Sequence, residues 1–168
     1  MARGASFEQI TRTDLRRLAR IAEEEREDLF ARRPDWRLLY RRRLLCTALT
    51  GRSATHYYNG STGVVQFDVC LFFAAHAEAA FPHRWASLRD FGSPKFGGAK
   101  GEANYIGRRI RFTGRSINCR PSDDPVTALQ TYLRRGRTPT ARQLREDAVV
   151  LIGPEHYLGY VAWPTLVA

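Results

Sequence analysis

Lysine is nearly missing from a strongly basic chain. Of 27 Lys and Arg side chains only Lys95 and Lys100 are lysine, against 17 Asp and Glu, leaving a formal net charge of +10. A guanidinium is a planar fork that matches phosphate better than a point charge does, so the imbalance fits a polyanionic partner. A GC-rich genome produces the same arginine bias, and charge balance alone does not fix chemistry. Cysteine is also scarce. Cys46, Cys70 and Cys119 lie far apart with no C-x-x-C, which excludes a disulfide framework and a zinc ribbon and reads as free thiols in a reducing compartment. No apolar run reaches the roughly 18 to 20 residues of a membrane-spanning helix, so no membrane is expected. The opening "MARGASFEQITRTD" lacks the apolar core of a secretory signal, and a cytoplasmic location follows as an expectation. His56, His76, His83 and His156 show no metal-ligand spacing and read as packed or surface imidazoles. Repeats, low-complexity tracts and linkers are absent. At 168 residues and 43% hydrophobic content the chain suits one globular domain, residues 1–168.

What is present divides into a helical start and an α+β remainder. Thr13 can cap a first helix, in which Leu15, Leu18, Ala19, Ala22, Leu29 and Phe30 recur at 3-to-4 spacing as far as Arg33. Pro34 interrupts it, and Asp35 can cap a second helix, "WRLLYRRRLLCTAL", so residues 1–50 read as an N-terminal helix pair. The acidic run Glu23 to Asp28 and the basic run Arg41 to Arg43 read as solvated faces or as facing partners in a hairpin. From Ser53 the period becomes two. "SATHYYN" reads as a strand near 54–59, joined by a Gly-Ser-Thr-Gly turn to a strand near 64–73. There Val65, Phe67, Val69, Leu71 and Phe73 face one way and Gln66, Asp68 and Cys70 the other. "AAHAEAAFPHRWASLRDFG" predicts a short helix broken at Pro82, and "GSPKFGGAKGEANY" a Gly-rich loop. Residues 106–114 predict a strand with Ile110 and Phe112 opposite Arg109, Arg111 and Thr113. The last third reads helix, helix, hairpin. Asp124 and Pro125 open the first helix and Gly136 stops it; Thr140 and Gln143 have capping-box spacing; two strands follow within 148–163.

The run "NGSTGVVQFDVCLFF", with "GRRIRFTGRSI" downstream, resembles the nucleotidyltransferase fold of the DNA polymerase beta superfamily, most closely its minimal bacterial members. With "DFGSPKFGG" and "ARQLREDAVVLIGPEHYLGYVAWP" it is also similar to a group of uncharacterised bacterial proteins associated with that fold, over about residues 53–164. The resemblance implies that Gly60 and Ser61 hold a nucleotide triphosphate, and that a D-x-D pair plus a third Asp on a neighbouring strand bind two magnesium ions. Several carboxylates are needed to concentrate that much positive charge between the attacking and leaving oxygens. This chain departs from the pattern. The D-x-D frame falls on Gln66 and Asp68, or on Asp68 and Cys70, and the third position falls on Arg111. The Ser61 to Gln66 spacing is also shorter than in the family.

The residues themselves offer two readings. Asp68 and Arg111, on the polar faces of neighbouring strands, form a charge-assisted pair; or Arg109, Arg111 and Arg115, with Lys95 across the Gly-rich loop, line a groove for phosphates. Cys70 reads as a buried inert thiol, Ser61 lacks the G-x-S-x-G frame, "GSPKFGG" lacks a following Gly-Lys-Ser/Thr, and Tyr57 and Tyr58 beside Arg52 read as core before they read as base-stacking groups.

The expectation is an α+β single domain: a small mixed central sheet, two N-terminal helices, and further helices on one face. Its function is expected to be that of a degenerate nucleotidyltransferase-fold protein, a pseudoenzyme that binds a phosphate-bearing ligand, nucleic acid or a protein partner without metal-dependent transfer and without a cofactor. Two alternatives stand beside it. One is an active minimal nucleotidyltransferase using magnesium, with Glu78, Asp90 or Glu102 supplying ligands. The other is a basic nucleic-acid-binding module.

Overall fold

A computed structural model describes residues 9–61, 64, 66–81, 85–92 and 109–165. The predicted Gly-rich loop, Lys95, Glu102, His83, Pro82 and Val65 lie outside the described residues. The chain folds as an α+β domain around a six-stranded mixed sheet. Its elements are α1 (Arg12–Arg32), α2 (Pro34–Tyr40), β1 (Leu44–Thr50), α3 (Gly51–Asn59), β2 (Gln66–Ala74), β3 (Ala86–Asp90), β4 (Arg109–Ile117), α4 (Pro125–Arg135), α5 (Pro139–Arg145), β5 (Val149–Gly153) and β6 (Val161–Trp163). The strand order is β3-β4-β2-β1-β5-β6. β2 runs parallel to β4, and every other neighbouring pair is antiparallel.

Alternation along β2 builds two cores. Phe67, Val69, Leu71 and Phe73 join Leu15, Leu18, Ala22 and Leu29 of α1, Tyr40 of α2, Ala54 of α3, and Ile110 and Phe112 of β4. Cys70 and Phe72 point through the sheet into a second core with Cys46, Ala48, Ile117, and Leu129 and Leu133 of α4. The N-terminal helices therefore cover one face and α4 covers the other, with Ala141 of α5 buried beside it.

Several predicted elements change identity. The second helix ends at Tyr40, and Leu44–Thr50 is a strand between β2 and β5. It is buried on both faces, so its apolar run carries no alternation to separate it from a buried helix. The predicted strand at 54–59 is the helix α3, packed through Ser53, Ala54 and His56 and stopped by Gly60 at φ 67°. The predicted hairpin turn at Gly60 and Ser61 is that helix terminus. Ala86–Asp90, expected to be helical, is the edge strand β3. Caps shift as well: α1 is capped by Thr11, two residues before the expected Thr13, in a reciprocal capping box between Thr11 and Asp14, and α5 is capped by Thr138 rather than Thr140. Asp124 and Gly136 bound α4 as expected.

Charged runs also find partners. Glu24, Glu25 and Asp28 of α1 converge on Arg89 of β3, while Arg43 donates to the carbonyls of Ala74 and Ala75 at 3.0 and 2.7 Å. The acidic run is thus a clamp on the sheet edge and does not face the basic run. Between β2 and β3 the chain crosses the first face, and Phe81 stacks on Phe73 with ring centroids 4.5 Å apart. It fits there because β4 has Gly114 beneath it: a Cβ at that position would lie 2.2 Å from the Phe81 ring.

Glu25 is almost fully buried, and removing Arg89 leaves that carboxylate only the longer contact to the exposed Arg32 at 3.8 Å. Arg89→Ala is expected to lower unfolding stability in urea by about 2 to 3 kcal/mol. Adding Glu25→Leu is expected to recover part of that loss.

Candidate functional site

The sheet carries Asp68 to an end of the second face that no helix covers among the described residues. Across four strands Leu88, Arg111, Asp68 and Thr50 are successive Cα partners, and the next row outward is Asp90, Arg109 and Gln66. Partners in register share a face, so these side chains form one floor. Leu88 is 59% exposed, and Arg109 and Arg111 are exposed, which leaves this end of the face open while α4 covers the region of Phe72 and Ile117.

The rim of the floor is the junction between β1 and α3. Gly51 turns the chain at φ 65°, and a Cβ there would lie 3.0 Å from Asp68 Oδ2. An L side chain resists that left-handed backbone, so glycine is what lets the helix N-terminus approach the carboxylate. Ser53 Oγ donates to Thr50 O at 3.0 Å and accepts from the Asp68 N–H at 3.4 Å, and Thr50 Oγ1 donates to Asp68 O at 3.3 Å. Two short polar residues, Thr50 and Ser53, thereby lock the strand-to-helix turn onto the backbone of Asp68. On the other side stands Asp147, whose Oδ1 accepts from Thr55 Oγ1 at 2.8 Å.

Asp68 is half-buried, and its direct partner is Gln66, whose Nε2 donates to Oδ1 at 3.0 Å. Burial pushes the carboxyl above its ordinary range, the Gln66 hydrogen bond and the Arg111 charge pull it back, and the Asp147 charge pushes it up again; the net direction is upward. Arg111 stands in register beside Asp68 as expected but makes no ion pair with it, which corrects the expected charge-assisted pair. The Arg111 side chain is exposed, and Gln66, two residues along the same strand face, reaches the carboxylate instead.

Other predicted residues are placed as follows. Arg109 and Arg111 share the floor. Arg115 shares the face but is drawn toward α5, donating to Thr140 Oγ1 at 2.6 Å. Gly60 and Ser61 do not belong to the site. They lie at the far end of α3, about 13 Å along its axis from Gly51, where Ser61 N–H donates to Asn59 Oδ1 at 2.9 Å. Glu78 is exposed outside the floor, in the crossing segment, with its N–H on His76 Nδ1 at 3.1 Å. Cys70 is buried, its thiol pushed up to about 12 chiefly by that burial, and so unreactive. Sequence reasoning missed Gly51, Ser53 and Asp147. The signal available for the first two was a glycine and a serine, "TGRS", directly after an apolar run; Asp147 had none.

Among the described residues no group of three or more His, Cys, Asp or Glu side chains is arranged to hold a metal ion, and no helix is long and apolar enough to cross a membrane. Comparison with family models, curated proteins and solved structures returns no match.

A carboxyl that titrates higher in the folded chain than in the unfolded one costs stability when ionised. The cost is absent below the ordinary carboxylate range and grows in as pH rises through the folded pKa. Asp68→Asn, which keeps an acceptor for Gln66, is therefore expected to stabilise the protein at pH 7 by a few tenths to about 1 kcal/mol. That gain is expected to vanish toward pH 3 in urea unfolding curves measured across the range.

Proposed function

We propose that the chain is a nucleotidyltransferase-like protein that binds a phosphate-bearing ligand on the floor around Asp68 and does not carry out metal-dependent transfer. The observation that carries this reading is the register Gln66–Arg109 and Asp68–Arg111 across the parallel pair β2 and β4. Where a two-magnesium transferase needs three carboxylates, the three corresponding positions here carry one carboxylate, Asp68, a carboxamide, Gln66, and a guanidinium, Arg111. That donor set does not fit two divalent cations, because Arg111 puts a fixed positive charge where a cation would sit. It does fit an anion. Arg109 and Arg111 offer guanidinium donors, and the start of α3 brings backbone N–H groups and the positive end of the helix dipole to the same rim. Gly51 and Ser53, the glycine and serine at the strand-to-helix junction, take the place that the sequence pattern gives to Gly60 and Ser61.

Calorimetry tests the reading. The wild-type protein is expected to bind neither magnesium nor manganese and to bind ATP in the absence of divalent cations. Arg111→Ala is expected to weaken that ATP binding about tenfold, as loss of one charge-assisted contact would. Changing Gln66 and Arg111 together to Asp is expected to create manganese binding. Divalent-cation binding by the wild type, abolished by Asp68→Asn, would instead favour an active transferase in which Asp147 joins Asp68.

A further inference from the structure

Among the described residues, a concentration of unpaired charge lies away from Asp68, at the corner between α4 and α5. A recess of about 670 Å³ there is lined by Arg134, Arg135, Gly136, Arg137, Arg142 and Arg145. Five guanidinium groups surround one concavity and no carboxylate lines it. Among the described residues none of these five arginines forms an ion pair, whereas Arg16, Arg26, Arg32, Arg33, Arg89 and Arg120 all do. Arg145 is used structurally, since its Nη1 donates to Leu133 O at 2.6 Å and Gly136 O at 2.7 Å, tying off the end of α4. Arg134 and Arg135 complement the negative end of the α4 dipole. Arg142 stands likewise in the last turn of α5, but neither explanation covers Arg137, which follows the turn at Gly136 and lines the same recess. Holding five like charges together without counter-charge is unfavourable unless an anion neutralises them.

A second concavity of about 500 Å³ shares Arg135 and Gly136 with the first. Its walls include Ile117, Ala128, Cys119 and Tyr132, with Asn118 and Thr131 as hydrogen-bonding groups. Asp123 and Asp124 also line it, but each is already engaged, Asp123 by Arg120 and Asp124 by Thr127 and Tyr157. A cationic recess opening into a largely apolar cleft matches a strand whose phosphates and bases separate in space. It matches a duplex poorly, because the two carboxylates at the cleft would face a second backbone.

We propose that the α4–α5 corner binds single-stranded nucleic acid, with backbone phosphates in the arginine recess and an unstacked base in the adjoining cleft. The site stands on different residues from the Asp68 floor and does not rest on a ligand being bound there.

Fluorescence anisotropy with a labelled single-stranded oligonucleotide of about twelve nucleotides tests it on the full chain. Arg134, Arg137 and Arg142 are exposed and outside the α4 cap, so the triple variant Arg134→Ala/Arg137→Ala/Arg142→Ala is expected to fold, as circular dichroism checks. It is expected to lose at least tenfold in affinity, and the slope of log affinity against log salt is expected to flatten by about 2. The variant Arg37→Ala/Arg41→Ala/Arg42→Ala removes the same charge from exposed positions at the end of α2 and is expected to stay within twofold. Oligonucleotide is also expected to protect Cys119, the half-buried thiol of the cleft, from maleimide labelling. Equal losses in the two triple variants would reduce the binding to net charge and overturn the proposal. So would duplex binding as tight as single-strand binding, or an unprotected Cys119. ATP binding that fails at Arg111→Ala while oligonucleotide binding persists separates this site from the Asp68 floor.

Discussion

The parallel pairing of β2 with β4 is the constraint on which the rest of the molecule depends. Nine consecutive Cα pairs, from Gln66–Arg109 to Ala74–Ile117, fix which side chains of the two strands share a face and at what height. Parallel neighbours need a crossover, and here the chain leaves β2, passes over the first face, forms β3 at the sheet edge and returns to place β4 between the two. Because β2 is central and covered on both sides, a slip of one residue would turn Phe67, Val69 and Phe73 out of one core and Asp68 into it. Hydrophobic burial thus enforces the register, and the register in turn sets the electrostatics at its open end.

Charge is distributed unevenly over the fold. On the α1 face carboxylates gather around Arg89 and hold the edge strand to the helix. In the recess between α4 and α5 arginines gather without acids. On the same face as α4 stands Asp68, destabilised as an anion by burial and by Asp147, with Gln66 hydrogen-bonded to it and Arg111 in register beside it. A basic composition by itself says only that polyanions are attracted. The placement says more: Arg89 and Arg43 hold elements together, and the five arginines of the α4–α5 corner, which form no ion pair, surround a concave surface.

How far this was legible from the sequence varied with how much each element reveals its own period. β2 and β4 alternate cleanly, so the opposition of Phe67 to Asp68 and of Phe112 to Arg111 could be read directly, and so could α4 between Asp124 and Gly136. β1 could not, because burial on both sides erases alternation and leaves "LLCTAL" as compatible with a helix as with a strand. α3 misled in the opposite sense. Its Thr, His and Tyr side chains favour strands when considered singly, and Gly60 served equally as a hairpin turn and as a helix stop. That one exchange moved the glycine and serine of the site from positions 60 and 61 to 51 and 53. Asp147 and the convergence of five arginines at one corner are products of tertiary folding and leave no local trace.

Gly114 shows how remote the control of the site can be. It faces away from Asp68, and what it contributes is the lack of a methyl group, into whose room Phe81 settles together with Tyr40, Trp36 and Phe73. That ring buckles the crossing segment to the strand it spans, assisted by the Phe81 N–H on Ser116 Oγ at 3.1 Å. A sheet one residue thick cannot keep its two sides independent: a bulkier atom beneath the buckle would lever the crossing segment upward and loosen β4 from its neighbour. The height of a guanidinium on one surface is therefore governed by a steric allowance on the reverse.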